Sequence, residues 1–261
     1  MQIELKHVSK TYDVDGGRKH LLALRDASLL VAAKEFICLL GPSGCGKSTI
    51  LKMVAGLEDA SEGEVTIDEQ PVRAPRPGCG MVFQEYALFP WHTVEHNVAF
   101  GLELHGHDKS AIRKKVTQFI CLVGLQGFEK ALPRQLSGGM KQRVAIARVL
   151  AMAPEVLLMD EPFGALDSFT RMELQEELVS LWEQQRFTCL FVTHDIDEAV
   201  YLADRIVVMT PRPGSTKTVV TVPLSRPRKR SDPMLLEIRN HVLKQYERSN
   251  PRAESDAEYQ I

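Results

Sequence analysis

Short apolar runs broken by turn residues open the chain. Ile3, Leu5 and Val8 start an N-terminal strand, VDGGRKH (14–20) reads as a turn, and LLALRDASLLV (21–31) leads into a second strand. FICLL (36–40) is apolar at every position, the pattern of a strand buried on both faces. It runs straight into a glycine-rich loop and then STILKMVAGL (48–57), where Ile50, Leu51, Val54 and Leu57 recur at helical spacing. GEVTIDEQPV (63–72) reads as an exposed, hairpin-like strand followed by the loop APRPG (74–78). From about Val94 to Val149 the period changes. NVAFGLELHG, KSAIRKKVTQFICLVGL and GGMKQRVAIARVLAM all carry helical periodicity, divided at Gly106, Gly124–Gly127 and Pro133. VLLMD (156–160), CLFVT (189–193) and RIVVM (205–209) then return to short apolar strands with helices between them. Strand–helix alternation around an inserted helical block predicts an α/β fold, a mainly parallel sheet with helices on both faces and an antiparallel N-terminal part. Beyond Pro211 an edge-like strand TKTVVTV is followed by SRPRKRSDP, a helix over MLLEIRNHVLKQY, and a polar tail RSNPRAESDAEYQI expected to be disordered. PRPG stands at 75–78 and 211–214, two loops with the same turn chemistry rather than a repeat.

Composition narrows the class of molecule. Of 261 residues 44% are apolar and 25% charged, enough apolar mass for one large domain or two small ones, and too much for a chain that stays unfolded. A net charge of -2 lacks the basic footprint of a dedicated nucleic-acid binder. No apolar run approaches the roughly 18 residues of a membrane-spanning helix, and MQIELKHVSK lacks the apolar stretch of a secretory signal. The chain is therefore expected not to cross a membrane by itself. The cysteines at 38, 45, 79, 121 and 189 are odd in number and form no CxxC, so reduced, structural thiols in a cytosolic protein are expected rather than a disulfide framework or zinc site.

Three motifs carry chemistry. GPSGCGKST (41–49) fits G-x-x-x-x-G-K-[ST] and stands between an apolar strand and a helix, where a phosphate loop needs to be. Gly41, Gly44 and Gly46 let backbone N–H groups turn inward around phosphates, with Pro42, Ser43 and Cys45 completing the loop. The helix start adds its partial positive charge. Lys47 would neutralise the β- and γ-phosphates, Ser48 would hold Mg²⁺, and Thr49 would reach the α-phosphate. VLLMDE (156–161) places a carboxylate pair at the end of a buried strand, where ligands of open α/β sheets gather. Asp160 suits Mg²⁺ held through water, and Glu161 suits orienting or deprotonating an attacking water. LSGGMKQR (136–143) is a third feature: Ser137 is placed to cap a helix whose first amides Gly138 and Gly139 leave uncovered, a second anion site. Two such helix starts could face one nucleotide or two different ones.

GPSGCGKST, the glutamine of VFQEY, LSGGMKQR, VLLMDEP, GALD and FVTHD occur in the order and spacing of ATP-binding cassette (ABC) ATPases, a family that this chain resembles over residues 1–215. The resemblance implies that two cassettes pair head to tail, so that Ser137 and Gly139 of one copy contact the γ-phosphate of ATP held by the other. It implies that Tyr12 stacks on adenine, Gln84 reaches Mg²⁺ and the attacking water, His194 contacts the γ-phosphate and Glu161, and Asp167 belongs to the loop exchanged across the dimer. The expected division is a nucleotide-binding core over 1–93 and 151–222, a helical subdomain with the signature motif over 94–150, and a C-terminal helix and tail over 223–261. ATP and Mg²⁺ are the implied cofactors.

The same resemblance turns Tyr86, Phe89, Trp91 and Phe100 of segment 84–103 into a groove for a cytoplasmic helix of transmembrane permease subunits, themselves served by an external substrate-binding protein. The implied place is the cytoplasmic face of the membrane, as a peripheral subunit. LFPWHTVEHNVAFGLEL, DEPFGALDSFTR and the tail LSRPRKRSDPMLLEIRNHVLKQY (224–246) resemble, more finely, the cassettes of bacterial nitrate, sulfonate and taurine importers. His92 departs from that pattern, which more often has an aliphatic residue there. The basic run Arg226–Arg230 reads as a solvated turn, not a site for lipid or nucleic acid. A non-transport cassette of DNA repair or translation usually has two cassettes or a long coiled coil, which are absent here. A GTPase would need N-K-x-D and would have no use for LSGGMKQR.

Overall fold

A computed structural model of the chain describes residues 1–14, 16 and 19–250. The expected turn at 14–20 and the expected disorder of the tail therefore lie in part or wholly outside the described residues. In chain order the elements are β1 (Ile3–Val14), β2 (Lys19–Val31), β3 (Phe36–Leu40), α1 (Lys47–Val54), β4 (Glu62–Ile67), β5 (Gln70–Pro71) and β6 (Cys79–Val82). Then come α2 (Val94–Leu104), α3 (Lys109–Leu122), α4 (Gly138–Leu150), β7 (Val156–Asp160), α5 (Ser168–Gln185), β8 (Thr188–Thr193), α6 (Ile196–Leu202), β9 (Arg205–Met209), β10 (Thr216–Thr221) and α7 (Pro233–Ser249). The backbone groups into two units, Met1–Arg76 with the chain from Thr188 onward, and Pro77–Phe187.

In the first unit β2, β1, β4 and β5 form an antiparallel sheet in that order. β3 lies parallel between β8 and β9, and β10 closes the edge antiparallel to β9. Every residue of β3 is fully buried, which is why its sequence has no polar alternation. α1 buries Ile50, Leu51, Met53 and Val54, but Leu57 falls beyond its end and is half exposed. The helix stops because Gly56 has φ +70 and a Cβ there would meet the Ala74 carbonyl at 2.3 Å. GEVTIDEQPV does form the hairpin β4–β5, turning on Asp68 and Glu69 with positive φ. It is not wholly exposed: Val65, Thr66 and Ile67 are buried against the rest of the unit.

The basic run Arg226–Arg230 is the clearest correction to the sequence reading. It is not a solvated turn. Arg228 is 7% exposed, and its guanidinium donates to the carbonyls of Val200 (3.0 Å), Tyr201 (2.9 Å), Ala203 (2.8 Å) and Leu224 (3.1 Å). Arg226 pairs with Asp204 and donates to the Leu202 carbonyl, and the Arg230 guanidinium lies 3.8 Å over the Tyr201 ring. Burial lowers Arg228 from its ordinary value to about 10, so it still carries its charge at neutral pH. Each carbonyl left unpaired in such a buried place would cost about 1–3 kcal/mol, which the planar five-donor guanidinium offsets at several oxygens together.

In the second unit β6 and β7 pair in parallel, and α2, α3 and α4 pack on one another. Side chains cap four of the helices of this unit: Thr93 on α2, Asp108 on α3, Ser137 on α4 and Asp167 on α5. All five cysteines are free. Cys38 and Cys189 lie wholly inside the first unit, where burial pushes their thiols well above the ordinary range.

Candidate nucleotide site

Residues 41–46 carry the chain from β3 into α1. Lys47 is 5% exposed, and its ammonium donates to the carbonyls of Gly41 (2.7 Å) and Pro42 (3.0 Å), which fixes the charge within the loop. The N-cap of α1 is Gly46, which has no side chain to cap the helix, so no N-cap side chain competes with an anion at this helix start. Gly46 has φ +98, and a Cβ would stand 2.5 Å from Leu24 Cδ2 on β2; backbone and packing both demand glycine. From the other side Gly214 presses on the loop: a Cβ there would lie 1.7 Å from the Cys45 carbonyl oxygen. Gly214 is pinned in turn, its N–H donating to the Ala23 carbonyl and its own carbonyl accepting from Arg25 N, both at 2.9 Å. Ser43 and Gly44 are exposed, Cys45 is buried, and Ser48 and Thr49 are half-buried.

Tyr12 reaches the far end of the same loop. Its hydroxyl donates to Glu58 Oε2 (2.9 Å) and stands 3.3 Å from Thr49 Oγ1, while Lys10 Nζ lies 5.0 Å over its ring and pairs with Glu58 at 3.1 Å. Burial raises the Tyr12 hydroxyl above its ordinary value, Thr49 opposing and Glu58 adding to the shift. His194 follows β8, whose last residue, Thr193, is in register with Leu40 of β3. Gly41 and His194 thus leave neighbouring parallel strands at the same level, at the carboxyl edge where such sheets bind ligands.

The second unit repeats this arrangement. Val82 of β6 is in register with Met159 of β7, so Gln84 and the pair Asp160–Glu161 emerge just beyond two paired strand ends. Asp160 is 4% exposed. Glu161 has φ +45, a left-handed backbone that costs a non-glycine residue roughly 1–2 kcal/mol. Strain of this kind persists where the surroundings impose a side-chain direction. Ser137 caps α4, its Oγ accepting from Met140 N at 3.3 Å. Cβ atoms on Gly138 and Gly139 would meet the Tyr86 hydroxyl at 2.9 Å and the Ala165 carbonyl at 3.3 Å, so the start of α4 touches both the Gln84 loop and the loop of Asp167. Gln84, Tyr86, Leu88, Pro133 and Lys141 line a cleft of about 500 Å³.

Beside that cleft Phe89 is the hub of an aromatic group, with ring centres 4.4 Å from Phe100, 5.5 Å from His92 and 5.8 Å from Trp91. Trp91 is 70% exposed. Arg148 covers Phe89 at 5.7 Å and donates to the Ala87 carbonyl at 2.8 Å. Asn97, fully buried, bonds Phe89 N (3.0 Å) and the carbonyls of Phe89, His92 and Thr93, sewing this loop to α2.

Two strand ends with a phosphate loop and a histidine, and two more with a carboxylate pair and a glutamine, are the parts of a nucleoside-triphosphate hydrolase. A family model described as ABC transporter matches residues 24–164. The chain belongs to the ABC transporter family. It is an ATP-binding cassette subunit whose ATP hydrolysis is coupled to transport. Among ABC relatives, an aliphatic sulfonates import ATP-binding protein, SsuB, of Bacillus cereus is 47% identical over 247 residues, 95% of this chain and 96% of that one. The SsuB of Bacillus licheniformis is 50% identical over 224 residues, 86% of this chain and 87% of that one. An uncharacterized ABC transporter ATP-binding protein of Methanocaldococcus jannaschii is 49% identical over 93% of this chain and 90% of its own length. The ATP-binding cassette MJ0796, solved as a dimer in a post-hydrolysis state bound to ADP and Pi, superposes with a TM-score of 0.77 at 33% identity, over 85% of this chain and 100% of that one. The fold is therefore the phosphate-loop cassette fold with its helical insert.

The donors of this cassette fit a polyphosphate with a hard cation. A helix start without a side-chain cap and a buried ammonium suit phosphate oxygens. Ser48 in the first unit, and separately Gln84 and Asp160 in the second, are oxygen donors of the kind Mg²⁺ prefers. Among the described residues no three His, Cys, Asp or Glu side chains group as a metal site. Sequence reasoning did not find Gly214, the strained Glu161 backbone or the Asn97 staple. Only the PRPG tetrapeptide hinted at the first, and the other two leave no local signal.

Proposed function

We propose that this cassette powers import of small organosulfur anions, aliphatic sulfonates first, as the ATP-hydrolysing pair of a membrane permease. The observation that carries this reading is near-full-length identity of 47–50% to relatives named as aliphatic sulfonate importer subunits. No helix among the described residues is long and apolar enough to cross a membrane, so the permease would be a separate chain. This cassette would sit against its cytoplasmic side through the Gln84 cleft and the exposed Trp91. Aromatic anchors in a cleft suit a short amphipathic helix. Two copies of the chain are proposed to pair head to tail, with Ser137 and Gly139 completing the partner's site and Asp167 at the exchange; that the MJ0796 cassette was solved as a dimer supports the pairing.

In the proposed reaction Lys47 and the amides of the phosphate loop hold the β- and γ-phosphates of ATP, and Tyr12 packs against the adenine end. Mg²⁺, when held by Ser48, Asp160 and Gln84, supplies charge neutralisation on the phosphate oxygens. Glu161 takes a proton from the water whose oxygen attacks the γ-phosphorus. The bond to the bridging oxygen breaks as the new one forms, and ADP and phosphate leave. His194 donates to a γ-phosphate oxygen and, with Gln84, orients the water. Fixed donors of this kind supply most of the rate in phosphoryl transfer. Because two copies close over each nucleotide, ATP favours the closed pair and hydrolysis releases it.

The test is uptake. In a strain lacking this gene, uptake of labelled alkanesulfonates is expected to stop, and to return with the wild-type gene but not with Glu161→Gln. Retained uptake of alkanesulfonates and taurine in the deletion strain, with loss of nitrate uptake instead, would overturn the substrate and leave the ATPase standing.

A further inference from the structure

α6 is only seven residues long and begins two positions after His194. A helix that short has no stability of its own, so what fixes its ends fixes the loop that precedes it. At its N-terminus the fixing is local. Asp195 caps Asp197 N (2.8 Å) and Glu198 N (3.2 Å), Asp195 N donates to Thr193 Oγ1 at 3.0 Å, and Thr193 Oγ1 donates to Glu198 Oε2 at 2.6 Å. Thr193 at the end of β8, Glu198 and the backbone on either side of His194 are thus bonded to the start of the helix.

At its C-terminus α6 ends without a glycine. Its C-cap, Ala203, has φ -84 and ψ 150, an extended geometry that leaves the last-turn carbonyls without the usual reverse bonds. Those carbonyls belong to buried residues, Val200 to Ala203. They are taken by the arginine run: Val200, Tyr201 and Ala203 by Arg228, and Leu202 by Arg226. Arg226 also grips Asp204, whose other carboxylate oxygen accepts from Phe36 N at the start of β3 (2.9 Å). β3 is the strand that delivers the phosphate loop. The arginines therefore tie the far end of the histidine's helix to the base of the strand carrying Lys47. Apolar burial of Ala199, Val200 and Leu202 holds α6 on the sheet, but apolar contact is not directional. Directional bonds reach its first turn from Arg239 of α7, which donates to Asp197 at 2.7 Å, and from Thr193; those at its C-terminal end come from Arg226 and Arg228.

We propose that Arg226 and Arg228 are positioning residues for His194, holding α6 in the one axial position that presents the histidine at the level of the phosphate loop. This rests on the reading of His194 as the γ-phosphate contact. The C-terminal arm thus sets the turnover number of the cassette and not its affinity for nucleotide. A misplacement of about an ångström costs up to roughly a hundredfold in rate.

The experiment compares wild type with Arg228→Lys, Arg226→Lys and His194→Ala, measuring bound nucleotide per chain, KM and kcat for ATP, and the ring resonances of labelled histidines. His194 is assigned among the eight histidines by its loss in H194A. Lysine keeps the charge but cannot reach several carbonyls at once, so it rescues a role that is only electrostatic. For R228K we expect full nucleotide binding, KM within about twofold, kcat down about tenfold and a shifted or broadened His194 resonance. Wild-type kcat in both lysine variants would overturn the proposal. So would a kcat that falls only in step with the binding-competent fraction while the His194 resonance stays in place. If H194A itself turns over ATP at the wild-type rate, the catalytic reading of His194 falls, and the resonance in R228K alone decides whether the arginines position it.

Discussion

Lys47 shows how a single side chain can be committed before any ligand arrives. Its ammonium is buried and bonded to the two carbonyls that open its own loop, so its charge is held in place at little further entropic cost. Lys47→Ala should lower phosphate release from ATP by on the order of a hundredfold or more, and lower the melting temperature modestly because the Gly41 and Pro42 carbonyls lose their donor; a phosphate-release assay beside a thermal melt checks both. Glu161 is the complementary case, a carboxylate on a left-handed backbone. Glu161→Gly should relieve the strain, stabilising the fold by up to about 1 kcal/mol while abolishing hydrolysis, and urea unfolding would read the gain. At this scale the sequence was legible where spacing alone defines a site, as in GPSGCGKST. It was illegible at Arg228, because a run of arginines looks the same whether its partners are water or carbonyls brought from elsewhere in the chain.

Among the elements, the caps and staples decide behaviour at the margins. Hydrogen bonds from Ser110 hold the Asp108 carboxyl, and those from Thr170 the Asp167 carboxyl, below the ordinary carboxylate range. A depressed folded pKa stabilises above the unfolded value and is lost as pH falls through the folded one. The starts of α3 and α5 should therefore loosen in acid, below about pH 4. In Asp108→Ala/Asp167→Ala the urea midpoint should fall less between pH 5 and pH 3 than in wild type, though it starts lower. Asn97 serves one loop: Asn97→Ala strips the bonds holding the Phe89–Thr93 turn to α2 and should destabilise the fold by about 2 kcal/mol, visible as a lower melting temperature. Helical and strand periodicity foretold α2, α3, α4, β3, β7, β8 and β9. It overran at Leu57, where Gly56 ends α1 on tertiary contact, and it missed that half of β4 is buried. Both misses come from neighbours remote in sequence.

For the whole molecule, the proposed pairing makes hydrolysis and association two readings of one event. Glu161→Gln should leave ATP bound and unhydrolysed, so that with ATP and Mg²⁺ the variant elutes as a dimer on size exclusion while wild type returns to monomer. A monomer that still hydrolyses at the normal rate would remove Glu161 as the base. Family membership was legible because the motif order survives in the chain, whereas no motif in it spells out a transported molecule.

The brace on the phosphate loop has a consequence for how the protein comes into being. The loop is translated early, yet Gly214, which packs on its Cys45 carbonyl, and the strands β8 and β9 that flank β3 are made about 150 residues later. A nascent chain therefore carries its most recognisable motif long before that motif has a shape. Ribosome-stalled chains ending before 205 should fail to retain ATP, and retention should begin only once the 210–214 turn has left the exit tunnel.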